Sequence, residues 1–413
     1  MHMSLFSLGK KSERIGAIID IGSGSVLVAI ISSKVGVAEP TIIWNYREHA
    51  PLRHIENIEQ SAKSVLTALV NALLKFNSEG RRALYEYNKS TKILQVQCFI
   101  SAPWSYTITK SINYSQPEPF EITTELIEEL VRTAEKKTTL ELGQTESAIN
   151  LGLTVVARTT MDLLANGYRT SSMVGQMASD LSLSHASVVT QNYLVEELEQ
   201  LRSKLFPEAQ LHKLSKILAF YSVASIIVPN NFDTCLVDIT YEATEIGIVR
   251  DGSLRYATHT PFGSFSLARE IATITSVPLF EAFQYLHQDE PYHFMEGLPK
   301  SQRDDIEKVF LSYVDRLADL FHETGDDLSI PKQILVHADL KSEVLFTDLI
   351  KKAAKRVLKS EPIITLTTPT ILQTTFPTLI KKTDLIDTSI DTGMLLSALF
   401  FHKQSISTPF EYL

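Results

Sequence analysis

Apolar positions along this chain switch between two periods. Two nearly unbroken apolar runs, within residues 15–31, are separated by Gly22-Ser23-Gly24-Ser25, which predicts two buried strands joined by a tight turn. Residues 40–46 read as a further strand. Between Ile58 and Phe76 the spacing changes, and Val65, Leu66, Leu69, Val70, Leu73 and Leu74 share one helical face. Ile93 to Ser101 is strand-like and Ala102-Pro103 ends it. After Pro117 and Pro119, Thr123 caps a helix whose stripe is Leu126, Ile127, Leu130, Val131 and Ala134. Leu151 to Ala157 is a strand, and 191–228 reads as two helices. A second strand pair follows and turns at Asp251-Gly252, a hairpin signal. Residues 264–287 and 302–323 are helical by period, the latter through Ile306, Val309, Phe310, Tyr313, Leu317 and Leu320. Gln333 to His337 is a buried strand and Glu343 to Leu358 a helix. The Thr-rich 365–375 and Pro377 predict an irregular crossing, and Thr392-Gly393 opens an apolar helix, Met394 to Phe401. Strand clusters alternating with helices in two halves predict an α/β architecture.

One device occurs twice. Ile18-Ile19-Asp20-Ile21-Gly22-Ser23-Gly24-Ser25 and Leu236-Val237-Asp238-Ile239-Thr240-Tyr241-Glu242-Ala243-Thr244 each run an apolar strand into Asp-Ile, a short connection, a hydroxyl residue and a second apolar strand. In the first copy Gly22 and Gly24 let the backbone turn sharply and approach a ligand. Turn amides and the hydroxyls of Ser23 and Ser25 suit phosphate oxygens. Asp20 and Asp238 are candidates for holding a hard cation. The competing reading is a plain hairpin whose Gly and Ser only make the turn. No Gly-Lys-Ser/Thr occurs, so this is not a Walker loop. A third feature, Thr260-Pro261-Phe262-Gly263-Ser264, follows the second device.

The three features in this order resemble the actin-like ATPase superfamily, and within it the FtsA family of bacterial cell-division proteins. PilM-type pilus proteins are similar and share an inserted subdomain. The resemblance covers about residues 15 to 402, with Val96 to Glu135, Ile122-Thr123, Asp162 to Tyr168 and Tyr221 to Ser225 carrying the family-like segments. It implies a two-lobed actin-like (ribonuclease-H-like) α/β fold with a small inserted α/β subdomain. The expected parts are a first lobe at 14–94 with 180–226 and 379–413, and an insert at 95–179. A second lobe spans 227–267 with 328–378, and a helical subdomain of that lobe spans 268–327. It implies ATP and Mg2+ in the inter-lobe cleft, held by Asp20, Gly22, Ser23, Gly24, Ser25, Asp238, Thr244, Gly263 and Ser264, with the metal at Asp20 and Asp238. No catalytic residue is nominated. The implied partners are a tubulin-like division GTPase, membrane division proteins and further copies of the chain, or pilus inner-membrane proteins in the PilM-like alternative. A sugar- or acetate-kinase-like phosphotransferase shares the core and is the remote alternative.

The departures point to weak or absent ATPase activity. Thr240, Tyr241 and Glu242 stand where the family places glycines, and Glu242 adds negative charge where polyphosphate would approach. The place of the strand and Gly-Gly that pack on adenosine is Ile334-Leu335-Val336-His337-Ala338-Asp339-Leu340, which has no glycine.

Composition alters this picture little. The 413 residues are 44% hydrophobic and 21% charged, enough for more than one domain. A net charge of −9 argues against nucleic-acid binding and against strong attraction to anionic lipid. Cys98 and Cys235, the two cysteines, sit in apolar runs and read as small buried hydrophobes. No apolar run reaches the length of a membrane span, and the expected location is cytoplasmic, peripheral to the inner face of the membrane through a partner. His337 reads as structural, Asp326-Asp327 as a solvated turn, and 351–356 as a basic surface face. Trp104 and Tyr106 read as buried or half-buried. The patch Leu5, Phe6, Leu8, Lys10, Lys11 and the tail from Ser405 do not form a lipid-seeking helix of the usual kind.

Overall fold

The computed structural model describes residues 13–51, 58–144, 152–169, 173–228, 233–323, 330–338, 343–368, 372 and 391–406. The N-terminal apolar patch, Asp326-Asp327, most of the Thr-rich crossing and the tail beyond residue 406 lie outside the described residues.

The first sheet contains β1 (Glu13–Ile21), β2 (Ser25–Lys34), β3 (Thr41–His49), β4 (Gln95–Ile100) and β8 (Gln210–Ser215), in the order β3-β2-β1-β4-β8. The second sheet repeats the pattern with β9 (Thr234–Ile239), β10 (Thr244–Arg250), β11 (Ser253–Thr260), β12 (Gln333–Ala338) and β13 (Ile363–Leu366), in the order β11-β10-β9-β12-β13. In both, the first three strands are antiparallel neighbours and the last two join in parallel. Parallel strands covered on both faces need continuous apolar runs, and β1, β4, β9 and β12 have them.

Helices fill the spaces between and outside the sheets. α1 (Ile58–Lys75) continues through a π-turn (Phe76–Gly80) into α2 (Arg81–Tyr87), and with α4 (Asn192–Leu205) it covers the outer face of the first sheet. α6 (Ser264–Thr275), α7 (Leu279–Tyr285), α8 (Lys300–His322) and α9 (Glu343–Val357) cover the outer face of the second. Between the sheets lie α5 (Lys216–Ile227) and α10 (Thr392–Ile406), which share one core with Ile18, Leu27 and Phe99 on one side and Leu236, Val249 and Leu335 on the other. α5 carries apolar residues all round, as a helix enclosed on every side must.

The inserted unit is an antiparallel three-stranded sheet in the order β5-β7-β6, built from β5 (Ser105–Glu121), β6 (Leu153–Ala165) and β7 (Met177–Gln191). α3 (Thr124–Gln144) packs on it through Leu130 and Ala134. Thr123 accepts the Leu126 amide at 3.2 Å, the expected cap.

Two boundaries differ from the sequence expectation. Residues 95–100, placed in the insert at 95–179, pair with β1 in the first-lobe sheet. The insert runs on to Gln191 because β7 continues as its central strand. Residues 191–228 hold a strand, β8, between the two expected helices. It escapes sequence reading because it is a sheet edge, half-exposed and mostly polar along Gln210-Leu211-His212-Lys213. No helix among the described residues is long and apolar enough to cross a membrane.

The layering makes a stability prediction. Phe400 of α10 is fully buried and meets Phe99 of β4 edge-to-face at a centroid distance of 5.4 Å. Phe400→Ala should lower unfolding stability by about 3–5 kcal/mol, read from urea denaturation midpoints. A shift well under 1 kcal/mol would mean that α10 does not seal the inter-sheet core.

Candidate functional site

The parallel strands of both sheets point their carboxyl ends at one crevice, where an open α/β sheet ordinarily receives its ligand. Asp20 and Asp238 occupy equivalent positions, one residue before the end of β1 and of β9. The turns that follow them meet face to face. Ser23 Oγ donates to Thr240 Oγ1 at 2.8 Å and accepts the Glu242 amide at 2.8 Å. Trp104 Nε1 holds the first turn from behind, donating to Gly22 O at 3.1 Å. The nine sequence-predicted residues are therefore gathered at one place, but the chain's own groups occupy it.

Tyr241 fills the gap between the turns. Its ring lies on Gly24, where a Cβ would come within 2.3 Å of a ring carbon. Its hydroxyl hydrogen-bonds His49 Nδ1 at 3.1 Å, and its other side packs on Phe265 (4.4 Å between centroids) and Phe283 (5.8 Å). Glycine at 24 is thus required by a protein ring.

The second turn also consumes the amides that open α6. Ser264 N donates to Thr240 O at 3.0 Å and Phe265 N to Tyr241 O at 2.8 Å. These are the orphan donors that make a helix start an anion site. A Cβ at Gly263 would come within 2.3 Å of Thr240 O, so only glycine permits this close seat. Glu242, flagged as a repulsive charge, is neutralised by Arg269 of α6 through a two-pronged pair (2.9 Å from Nη1 and 2.5 Å from Nη2). Thr244 serves the second lobe internally. Its hydroxyl donates to Phe262 O at 2.9 Å and meets the Tyr313 hydroxyl at 2.8 Å.

The carboxylates nominated for a cation are met by protein groups. Lys216, at the first position of α5, directs its ammonium at Asp20 Oδ2 (2.5 Å), Gly393 O (3.1 Å) and Ser397 Oγ (3.0 Å), so all three of its N–H donors are used. Ser397 adds a donor to the same Asp20 oxygen at 3.2 Å. Both Lys216 and Asp20 are buried. Asp238 Oδ1 accepts from His337 Nδ1 at 2.7 Å, and His337 Nε2 lies 3.3 Å from the Thr392 hydroxyl, so this histidine joins β9 to the start of α10. Ser25 accepts from Arg47 Nη1 at 2.6 Å, and Arg47 pairs with Asp391. Asp391 in turn caps α10 by accepting the Met394 amide at 2.8 Å. Burial opposes its ionisation, but Arg47, the cap bond and Lys216 prevail and draw its carboxyl down to about 2.

Glu245 stands apart. It pairs across the ladder with Asp238, is fully buried, and its Oε2 has no partner among the described residues, as is true of Asp238 Oδ2. Burial, and then the neighbouring Asp238 charge, push its carboxyl well above the ordinary range against a backbone bond from Ala102. Both effects favour its neutral form over the carboxylate.

Magnesium-ATP, the ligand the fold class implies, does not fit the residues in this arrangement. The glycine face is under Tyr241, the helix-start amides are bonded, and the first aspartate is paired with an ammonium. Sequence reasoning named the acids and glycines but missed Lys216, Arg47, Arg269 and Asp391. A visible signal existed for Lys216, a lone cation opening the apolar run Ile217 to Tyr221.

Two five-stranded sheets of the same order, facing across paired Asp-ending strands, define an actin-like ATPase fold with an inserted subdomain. The chain is similar over its whole length to a solved structure described as a PilM-PilN type IV pilus biogenesis complex, with a TM-score of 0.53, 13% identity, and 97% of this chain and 100% of that chain covered. Weaker likenesses include a Bacteroides thetaiotaomicron protein described as having an actin-like ATPase fold and unknown function (TM-score 0.39, 10% identity, 86% and 91% covered). Another is the ethanolamine utilization protein EutJ from Carboxydothermus hydrogenoformans (TM-score 0.39, 10% identity, 85% and 84% covered). No family model and no curated protein matches the sequence.

Two predictions follow from these pairings. Lys216→Met leaves Asp20 buried and unpaired and should cost about 3–5 kcal/mol in denaturant unfolding, while Asp20→Asn/Lys216→Met recovers most of the loss. A Lys216→Met chain as stable as the parent would show that the pair does not hold the crevice. Glu245 carries a raised folded-state pKa, so its contribution is fully present below its unfolded value of 4.5 and is lost as pH rises through the folded value. Glu245→Gln should therefore gain stability over the parent progressively above pH 4.5. Parallel stability–pH curves for the two chains would contradict a raised Glu245 pKa.

Proposed function

We propose that this protein is an actin-fold scaffold whose lobes are closed by its own side chains, and that it serves as an assembly platform for a membrane-anchored machine of the PilM–PilN kind. The supporting observation is the direct seating of Tyr241 on Gly24, backed by the Lys216–Asp20 and Arg269–Glu242 pairs, where a bound nucleotide would otherwise bridge the lobes. The reading keeps the fold's two-sided grip and assigns it a structural use. The likeness to the PilM-PilN complex, over 97% of this chain, makes a pilus-type membrane protein the favoured partner.

The division-adaptor reading, with a tubulin-like GTPase and membrane division proteins as partners, rests on the FtsA-like sequence of the insert. There Ile122 is fully buried and Thr123 caps α3. Both readings place the protein at the inner face of a membrane through a partner, and both allow self-assembly. Phosphotransfer stays the remote reading, because Tyr241 covers the glycine turn where a phosphate donor would sit and Asp20 is paired with Lys216.

Calorimetric titration with magnesium-ATP at millimolar concentration should give neither heat of binding nor a rise in melting temperature. Micromolar affinity abolished by Asp20→Ala and by Gly22→Val would overturn the proposal. Co-purification with a defined pilus-type membrane protein, set against the division GTPase, separates the two partner readings.

A further inference from the structure

We infer that the inserted subdomain is a strap that fixes the angle between the two lobes, acting on the Asp251–Gly252 turn of the second lobe from the side away from the crevice. The inference rests on the reading that no ligand bridges the crevice, and it identifies what holds the lobes in its place.

The β10–β11 hairpin turns at Asp251 and Gly252, both with positive φ (51° and 71°). Carbonyls at such a tip ordinarily face water. Here both are taken by donors from outside the second lobe. Arg169, just past the β6 turn of the insert, donates from Nη2 to Asp251 O at 2.6 Å. Tyr221 of α5 donates its hydroxyl to Gly252 O at 2.8 Å. Arg169 is aimed by a two-pronged pair with Asp162 of β6, Nε and Nη2 each at 2.8 Å, and the Asp162 side chain is only 5% exposed. The turn sits so close beneath the guanidinium that a Cβ on Gly252 would come within 2.9 Å of Arg169 Nη1.

Three further contacts continue this seam along β11. Thr109 Oγ1 of β5 donates to Arg255 O at 2.5 Å, and Arg255 Nη1 donates to Ser184 Oγ of β7 at 2.8 Å. The Tyr106 and His259 rings lie 4.8 Å apart. The insert therefore covers an edge strand of the second sheet as well as joining the first lobe, and a covered edge is also protected from mispairing.

The geometry makes this a strap and not merely an added contact. β10 begins at Thr244 beside the crevice and ends at Arg250 beside Arg169. Seven residues of strand separate the two ends by about 20 Å. The lobes are thus held at the crevice by Tyr241, Ser23 and Thr240, and about one strand length away by Arg169 and Tyr221. One clasp would leave the lobes free to swing in any direction, whereas two separated clasps leave only rotation about the line joining them, which the core that α5 and α10 share with both sheets resists.

Hydrogen–deuterium exchange of the full chain without nucleotide tests the strap. Asp162→Asn/Arg169→Gln removes the guanidinium without stranding a buried carboxylate. It should accelerate exchange of the Glu242 and Ala243 amides at the distant crevice by about tenfold, the scale of one lost charge-assisted hydrogen bond. Amides of Leu181 to Leu183, in the insert's own core, should stay protected. Faster exchange confined to 250–253, with the crevice unchanged, would overturn the strap. If the double variant does not fold, Gly252→Ala decides. It leaves the Arg169–Asp162 pair intact and pushes the turn off the guanidinium, and it should loosen the crevice in the same way. Unchanged crevice exchange in that variant also overturns the inference. Exchange without nucleotide reports on the strap alone, whereas magnesium-ATP titration reports on the ligand-free reading, so either can fail without the other.

Discussion

The seat of Tyr241 on Gly24 sets the distance between the two lobes, and most of the crevice chemistry follows from that distance. With the turns this close, the space where a phosphate chain would run between glycine-rich loops is filled by an aromatic ring. The ring buries apolar surface on both sides and keeps its hydroxyl satisfied at His49, as a buried tyrosine must. Ser23, Thr240 and the Glu242 amide then close a small hydrogen-bonded lattice across the seam. Each of these groups belongs to a different lobe from its partner, so the contact acts as an internal ligand covalently supplied by the chain.

The same logic governs the charges. An actin-like crevice collects acids at strand ends, and acids in a confined site repel one another unless cations intervene. Here the cations are side chains: Lys216 answers Asp20, Arg47 answers Asp391 and Arg269 answers Glu242, while the His337 ring hydrogen-bonds Asp238. Glu245 lacks such a cation, and burial together with the Asp238 charge raises its carboxyl pKa. Buried pairs of this kind add little net stability compared with apolar residues of the same size, but losing either member is costly. The arrangement therefore specifies the closed geometry more than it stabilises the fold.

Much of this architecture was readable from local pattern because the first and second sheets are built from contiguous apolar runs with turn residues between them. The acids and glycines of both turns were legible for the same reason. What local pattern could not carry was pairing across distance. Lys216 and Asp20 are 196 residues apart, and Arg47 and Asp391 are separated by 344. The apolar run Ile217 to Tyr221 marks Lys216 as a cation at a buried helix start, but no local pattern names Asp20 as its partner. β8 was missed for a different reason. As an edge strand it needs few apolar residues, and so it has no period to detect.

Gly24 shows how the same residue can support two opposite readings. In an isolated turn, a glycine after Asp-Ile marks close backbone approach, and phosphate is the obvious visitor. The structure keeps the close approach and changes the visitor to Tyr241, a residue of the second copy of the same device. The three side chains of the second turn are each answered: Tyr241 uses the room that Gly24 leaves, Glu242 is paired with Arg269, and Thr240 bonds Ser23. A turn that had merely decayed would leave unpaired polar groups facing an emptied cleft, and these three positions instead carry a coordinated set of contacts. That coordination is the strongest physical reason to regard the closed crevice as a built feature of the protein.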